Sequence, residues 1–164
     1  MKKTTFLIIS LFLLVCINAC AGYKPIFASS GFQFKIADYS INGNKKLGNK
    51  IYSKLHNISK LNKNNPDIQS VRLSIHTSVD KLATVKNSSG KILEYKINLN
   101  SNIVVNNFLT NEQVLNQDFN YNSSYEVQDQ HSETVKLENK TIEQLISKTY
   151  QNVLIKLTET IAAQ

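Results

Sequence analysis

From Val71 to Tyr125 apolar and polar residues alternate with few breaks, and this period of two constrains the fold more than any other feature. Val71, Leu73, Ile75 and Val79 hold one phase, with Arg72, Ser74 and His76 in the other. Tyr95, Ile97, Leu99, Ile103 and Val105 repeat the pattern against Lys96, Asn98, Asn100 and Asn102. A third run keeps Phe119, Tyr121 and Tyr125 in phase. Side chains along a strand point alternately to opposite faces, so each run has one dry side and one wet side. Parallel sheets bury both faces and lose the alternation, so these runs predict antiparallel strands. Asn87-Ser88-Ser89-Gly90 suits a hairpin loop between the first two, and Thr110-Asn111-Glu112 a turn before the third. The runs predict strands of roughly ten residues or more, long for a small domain.

The flanks change period. Phe32, Phe34 and Ile36 alternate with Gln33 and Lys35, predicting a first strand over 32–41 that ends in the turn residues Asn42-Gly43-Asn44. Leu47, Ile51, Leu55 and Ile58 follow at steps of four and three, one apolar stripe of a helix. Asn62 to Asp67 reads as a loop closed by the second of the two prolines. From Ser132 to about Ala162 a longer stripe runs through Ile142, Leu145, Ile146, Tyr150, Val153, Leu154, Leu157 and Ile161. Thirty helical residues span roughly 45 Å, enough to lie along long strands. The expected fold is therefore α+β: a four-stranded, mostly antiparallel sheet with two helices packed on one face, in the order β-α-β-β-β-α. The other sheet face, rich in Asn, Ser, Lys and His, is left uncovered.

The first twenty residues have a different logic. Lys2 and Lys3 precede an apolar run from Phe6 to Ile17 broken only by Ser10, and Ile17-Asn18-Ala19-Cys20 closes it. About a dozen apolar residues are too few for a membrane span, which takes about 20. Charge, apolar stretch and small residue before a cut are the parts of a secretory signal. A cysteine just after the cut resembles the bacterial lipobox, in which the thiol is acylated and anchors the mature chain; more than one acyl chain makes such anchoring stable. The expected organisation is a signal peptide over 1–19, an acylated tether over 20–31 and one α+β domain over 32–164. Cys16 leaves with the signal and acylation consumes Cys20, so no disulfide is expected. Ala21 stands where aspartate would resemble an inner-membrane retention signal, which favours the periplasmic face of the outer membrane.

Removing residues 1–19 from the 164 leaves 145, one domain's worth. The formal charge of +7 falls to +5 without Lys2 and Lys3, and Arg72 is the one arginine. Mild basicity suits anionic lipid, whereas an exported chain with no nucleic-acid motif is not expected to bind nucleic acid. His56, His76 and His131 lie far apart in sequence and in no metal-ligand spacing. Phosphate loops, nucleophile elbows and paired cysteines are absent from the sequence, so no enzyme, metal or cofactor is expected. Lys81, Lys86 and Lys91 fall around the expected hairpin and offer point charges to phosphates, with Arg72 a further candidate. A facing of Arg72 and Lys96 across the polar sheet face is also open.

After Cys20, the run Gly22-Tyr23-Lys24-Pro25-Ile26-Phe27 resembles the mature start of the LptE family of lipopolysaccharide-assembly lipoproteins, in particular its alphaproteobacterial forms. The strand over 32–41, the helix with Leu47 and Leu55, and the paired strands over 72–77 and 95–99 are similar too. So is the region with Asn120-Tyr121-Asn122 and Ser124-Tyr125, followed by the terminal helix. The likeness spans the mature chain as architecture plus one short motif. It departs in the insertion of Ala21, and in Asn and Lys where relatives often carry Ala and Arg. The resemblance implies a non-enzymatic factor that plugs and helps assemble an LptD-like outer-membrane β-barrel and takes part in moving lipopolysaccharide to the surface. Its implied partners are that barrel, lipopolysaccharide and, through the lipid anchor, the membrane. A different class remains as the alternative: an accessory lipid-binding lipoprotein of an intermembrane lipid transporter.

Overall fold

A computed structural model describes residues 34–61 and 68–162. The elements are β1 (Phe34–Gly43), α1 (Lys45–Leu61), β2 (Gln69–Lys86), β3 (Ile92–Asn107), β4 (Gln113–Glu126) and α2 (His131–Ala162). The order is the β-α-β-β-β-α expected from the two periods. The four strands lie side by side as β1-β2-β3-β4. β2 pairs antiparallel with β3, and β3 with β4, whereas β1 runs parallel to β2. That parallel pair follows from α1, because a helix between two strands returns the chain to its starting end. Cys20 with the 20–31 tether, Phe32 and the Asn62–Asp67 loop lie outside the described residues.

The dry phase of each strand forms the core. Val71, Leu73, Ile75, Ile97, Leu99, Ile103, Val105, Leu115 and Phe119 are buried on one face. Leu47, Ile51 and Leu55 of α1, with Leu145, Ile146, Val153, Leu154 and Leu157 of α2, close over them in a single cluster. Ile58, Ile142, Tyr150 and Ile161 pack at its margin. The two helices meet each other on that face, where Lys50 of α1 pairs with Glu143 of α2.

Two features of β1 break simple alternation. Ile36 pairs with Val71 and Asp38 with Arg72, so Ala37 is an extra residue that bulges the strand. At its end Gly43 takes φ +73°, and a Cβ there would lie 2.1 Å from the Thr77 carbonyl oxygen. Next, Asn44 N donates to Thr77 O at 2.7 Å and Thr77 Oγ1 donates to Asn44 O at 2.8 Å. The Asn44 side chain then accepts from Leu47 N at 3.2 Å, capping α1. The start of α1 is thus fastened to the middle of β2. Its other end is fastened to the start of β1, where Ile36 N donates to Ser59 Oγ at 2.9 Å.

Candidate functional site

The wet phase of the strands makes a continuous polar face away from the helices. The strand registers set its side chains in rows. Asn42, His76, Asn102 and Asp118 cross all four strands; Ser78, Asn100 and Asn120 form the next row, and Asp80, Asn98 and Asn122 the one after. A row on the other side joins Ser40, Ser74, Val104 and Asn116. Neighbouring polar groups bond each other within the face: the Asn102 amide Nδ2 donates to the Asp118 carboxylate Oδ1 at 2.8 Å and Ser40 Oγ to Ser74 Oγ at 3.0 Å. Amides carry both donors and acceptors, so the face can also hydrogen-bond a polar partner of either kind. β2, β3 and β4 run 18, 16 and 14 residues, which makes the face long as well as wet.

The four cationic candidates separate. Lys86 and Lys91 lie exposed beside the hairpin loop, where Asn87 N donates to Lys91 O at 2.9 Å and Gly90 N to Asn87 O at 3.0 Å. Lys81 belongs to the other face. It pairs across β3 with the buried Ile97 and reaches Glu138 of α2, Nζ to Oε2, at 2.5 Å. Its ammonium sits 4.3 Å from the Tyr95 ring centroid and 5.6 Å from that of Tyr125. Tyr125 Oη donates to Glu138 Oε2 at 2.8 Å, so the carboxylate is held from two sides. Burial works against charge at both groups, but the contacts with Glu138 and Tyr125 outweigh it and raise Lys81 above an ordinary lysine. Burial is likewise overcome at Glu138, which Lys81 and Tyr125 hold below the usual glutamate value. Burial first, and Glu138 after it, pushes the Tyr125 phenol up.

Arg72 lies on the wet face, but at the other end of β2. Its Nε donates to Asp38 Oδ2 at 3.0 Å and its Nη1 to Asn111 Oδ1 at 3.2 Å. The facing of Arg72 and Lys96 left open by the sequence does not occur. Arg72 pairs with Asn106 and Lys96 with Leu82, ten residues farther along β2, which is roughly 33 Å of strand.

The histidines are likewise dispersed. His76 stands in the polar row beside Asn102, His56 stacks on Tyr52 with centroids 5.2 Å apart, and His131 begins α2. Among the described residues no group of three or more His, Cys, Asp or Glu is placed to hold a metal. A cavity of about 250 Å³ lies beside Lys81, His131 and Glu138, and one of about 440 Å³ beside Tyr125, Lys140 and Gln144. No described helix is long and apolar enough to cross a membrane.

Three features escaped the sequence reading. Glu138 is one of many charged residues on a helix, and nothing local marks it as the partner of Lys81. Tyr39 stacks on Tyr52 at 4.0 Å between centroids, an edge contact that the bulge at Ala37 creates. Phe108 and Leu109 stand exposed in the β3–β4 turn. Their signal was present, since two apolar residues in a turn are out of place.

Solved structures with similar architecture include the solution NMR structure of an uncharacterized lipoprotein B from Nitrosomonas europaea. It matches with a TM-score of 0.61 at 15% identity, over 87% of this chain and 94% of that one. A lipoprotein from Caulobacter crescentus CB15 matches at 0.54 and 9% identity, over 80% and 91% of the two chains. A minor lipoprotein from Acinetobacter baumannii also matches at 0.54 and 9%, over 78% and 92%. At these identities the likeness is one of fold. No protein-family model and no curated protein matches the sequence.

Proposed function

We propose that this protein is a non-enzymatic outer-membrane lipoprotein that plugs an LptD-like β-barrel, helps it assemble, and takes part in carrying lipopolysaccharide to the cell surface. The observation that carries the reading is the long sheet face, covered by no described element, whose rows of Asn, Ser, His and Asp pair across the strands. A barrel of this kind has a polar lumen, and a plug inside it must exchange water for side-chain hydrogen bonds. Amides and hydroxyls do this without the desolvation cost of unpaired charge. Support also comes from the lipobox-like Cys20 and from a fold shared with structures described as lipoproteins. Acyl chains on Cys20 hold the domain at the periplasmic leaflet, and the tether lets it enter the barrel.

Lipopolysaccharide phosphates meet Lys86 and Lys91 at the hairpin in this reading, since Lys81 is engaged by Glu138 and Arg72 by Asp38. Replacing Lys86 and Lys91 by alanine weakens lipopolysaccharide binding and flattens its salt dependence, while Lys81→Ala acts mainly on stability. Binding that is unchanged at low and moderate salt removes the hairpin from the site. The wider function is tested by purifying the tagged full-length protein from detergent-solubilised outer membranes. A stoichiometric large β-barrel is the expected companion. Recovery with inner-membrane transporter subunits and no barrel replaces the plug with the lipid-transport accessory.

A further inference from the structure

The sheet has two distinct ends. The β2–β3 hairpin forms one. The other gathers the start of β1, the last turn of α1 and the β3–β4 turn. Phe34 pairs there with Gln69, Ile36 N bonds Ser59 Oγ, and Phe108 N donates to Ser70 O at 2.8 Å. The 16 residues of β3 separate the two ends, by roughly 50 Å.

The β3–β4 turn is built rigidly around an apolar tip. Asn107 Oδ1 accepts from Leu109 N at 2.8 Å and from Thr110 N at 3.1 Å. Asn107 O accepts from Asn111 N at 3.0 Å, and Asn107 N donates to Glu112 O at 2.8 Å. Asn111 takes φ +59°, a conformation asparagine tolerates better than most residues. Its side chain accepts from Arg72, whose guanidinium also lies 5.4 Å from the Phe108 ring centroid. This frame holds Leu109 82% exposed beside a partly exposed Phe108. In water an apolar pair at such a tip gains nothing, and turn chemistry favours polar residues there.

We propose that the Phe108–Leu109 turn inserts into the lipid surface to which the chain is tethered. The inference rests on the reading of Cys20 as an acylated anchor. Cys20 precedes Phe34 by 14 positions, a reach of at most about 50 Å even when fully extended. The tether joins the domain at this end of the sheet, where Phe34 pairs with Gln69, so the Phe108–Leu109 turn is within reach of the bilayer. Exposed Lys35 and Lys60 flank the same end and complement anionic headgroups. Apolar side chains at a membrane surface settle about 5–10 Å into the headgroup boundary, a depth that Leu109 on a projecting turn can reach. An acyl tether alone leaves the domain free to tumble. An inserted turn gives the barrel-free protein a fixed, end-on orientation.

The chain contains no tryptophan, so single Trp probes report cleanly. Full-length acylated Leu109→Trp and Leu93→Trp variants are placed in phosphatidylethanolamine–phosphatidylglycerol vesicles carrying brominated acyl chains. Leu93 lies exposed at the hairpin end and serves as the distal control. The expected result is blue-shifted emission from Leu109→Trp, quenched several-fold more strongly than that of Leu93→Trp. Water-like emission at position 109, or equal quenching at the two positions, overturns the proposal while the protein still floats with the vesicles. Loss of flotation in both variants and in the parent protein overturns the anchor reading itself, along with the inference that depends on it.

Discussion

Lys81 shows how a residue's phase in a strand decides its role. Its neighbours in sequence are surface residues, yet its register with Ile97 turns it toward the helices and onto Glu138. The folded lysine is raised above its ordinary value, so its stabilising contribution is full below that value and is lost as pH rises through the elevated one. Glu138 is depressed, so its contribution is present above the ordinary glutamate value and fades as pH falls through the lower one. The pair therefore supports the fold across neutral pH and fails at either extreme. With 37% of the Lys81 side chain exposed, solvent screening limits the gain, and Lys81→Ala or Glu138→Gln is expected to cost only about 0.5–1 kcal/mol at neutral pH. Urea unfolding of the detergent-solubilised protein checks this. The gap between parent and Glu138→Gln should close in acid, and a gap that stays constant from neutral to strongly acid pH rules the pair out as its source.

At the scale of elements, β1 and α1 are joined by a device that allows little variation. The chain must turn out of β1 and start α1 while Asn44 still bonds Thr77 in the neighbouring strand. Gly43→Ala adds a methyl group against the Thr77 carbonyl at a positive φ, and is expected to cost about 2–4 kcal/mol. Thermal unfolding measures it, and a neutral outcome shows that the turn relaxes. The three long strands and both helices were legible in sequence because their periods of two and 3.6 are nearly unbroken and each buries one side. The turn at Asn42-Gly43-Asn44 was legible from its chemistry. Register was not. Alternation specifies which side chains share a face, but not how far one strand slides along the next, so the facing of Arg72 and Lys96 could not be decided. The bulge at Ala37 leaves no local mark, whereas the parallel pairing of β1 follows from the helix between β1 and β2. Glu138 lies 57 residues from Lys81, and that partnership needed the fold.

The described domain has a dry, helix-covered side, a wet side that no described element covers, and two unlike ends. One end carries Lys86 and Lys91 on a projecting hairpin; the other carries Phe108 and Leu109 where the described chain begins. Of the site, the wet face and the hairpin lysines were legible in sequence, whereas the turning of Lys81 onto the helix-covered face and the placement of Arg72 at the far end of β2 were not. The plug reading makes one demand that other lipoprotein roles do not. The open sheet face, not only the tether, must lie against barrel. A photoreactive amino acid placed at Asn100 or Asn120, in the middle row of that face, tests the demand directly in living cells. Both positions are expected to crosslink to a large outer-membrane β-barrel protein. Crosslinks to inner-membrane transporter subunits, or none to any barrel while the protein is folded and anchored, would contradict it.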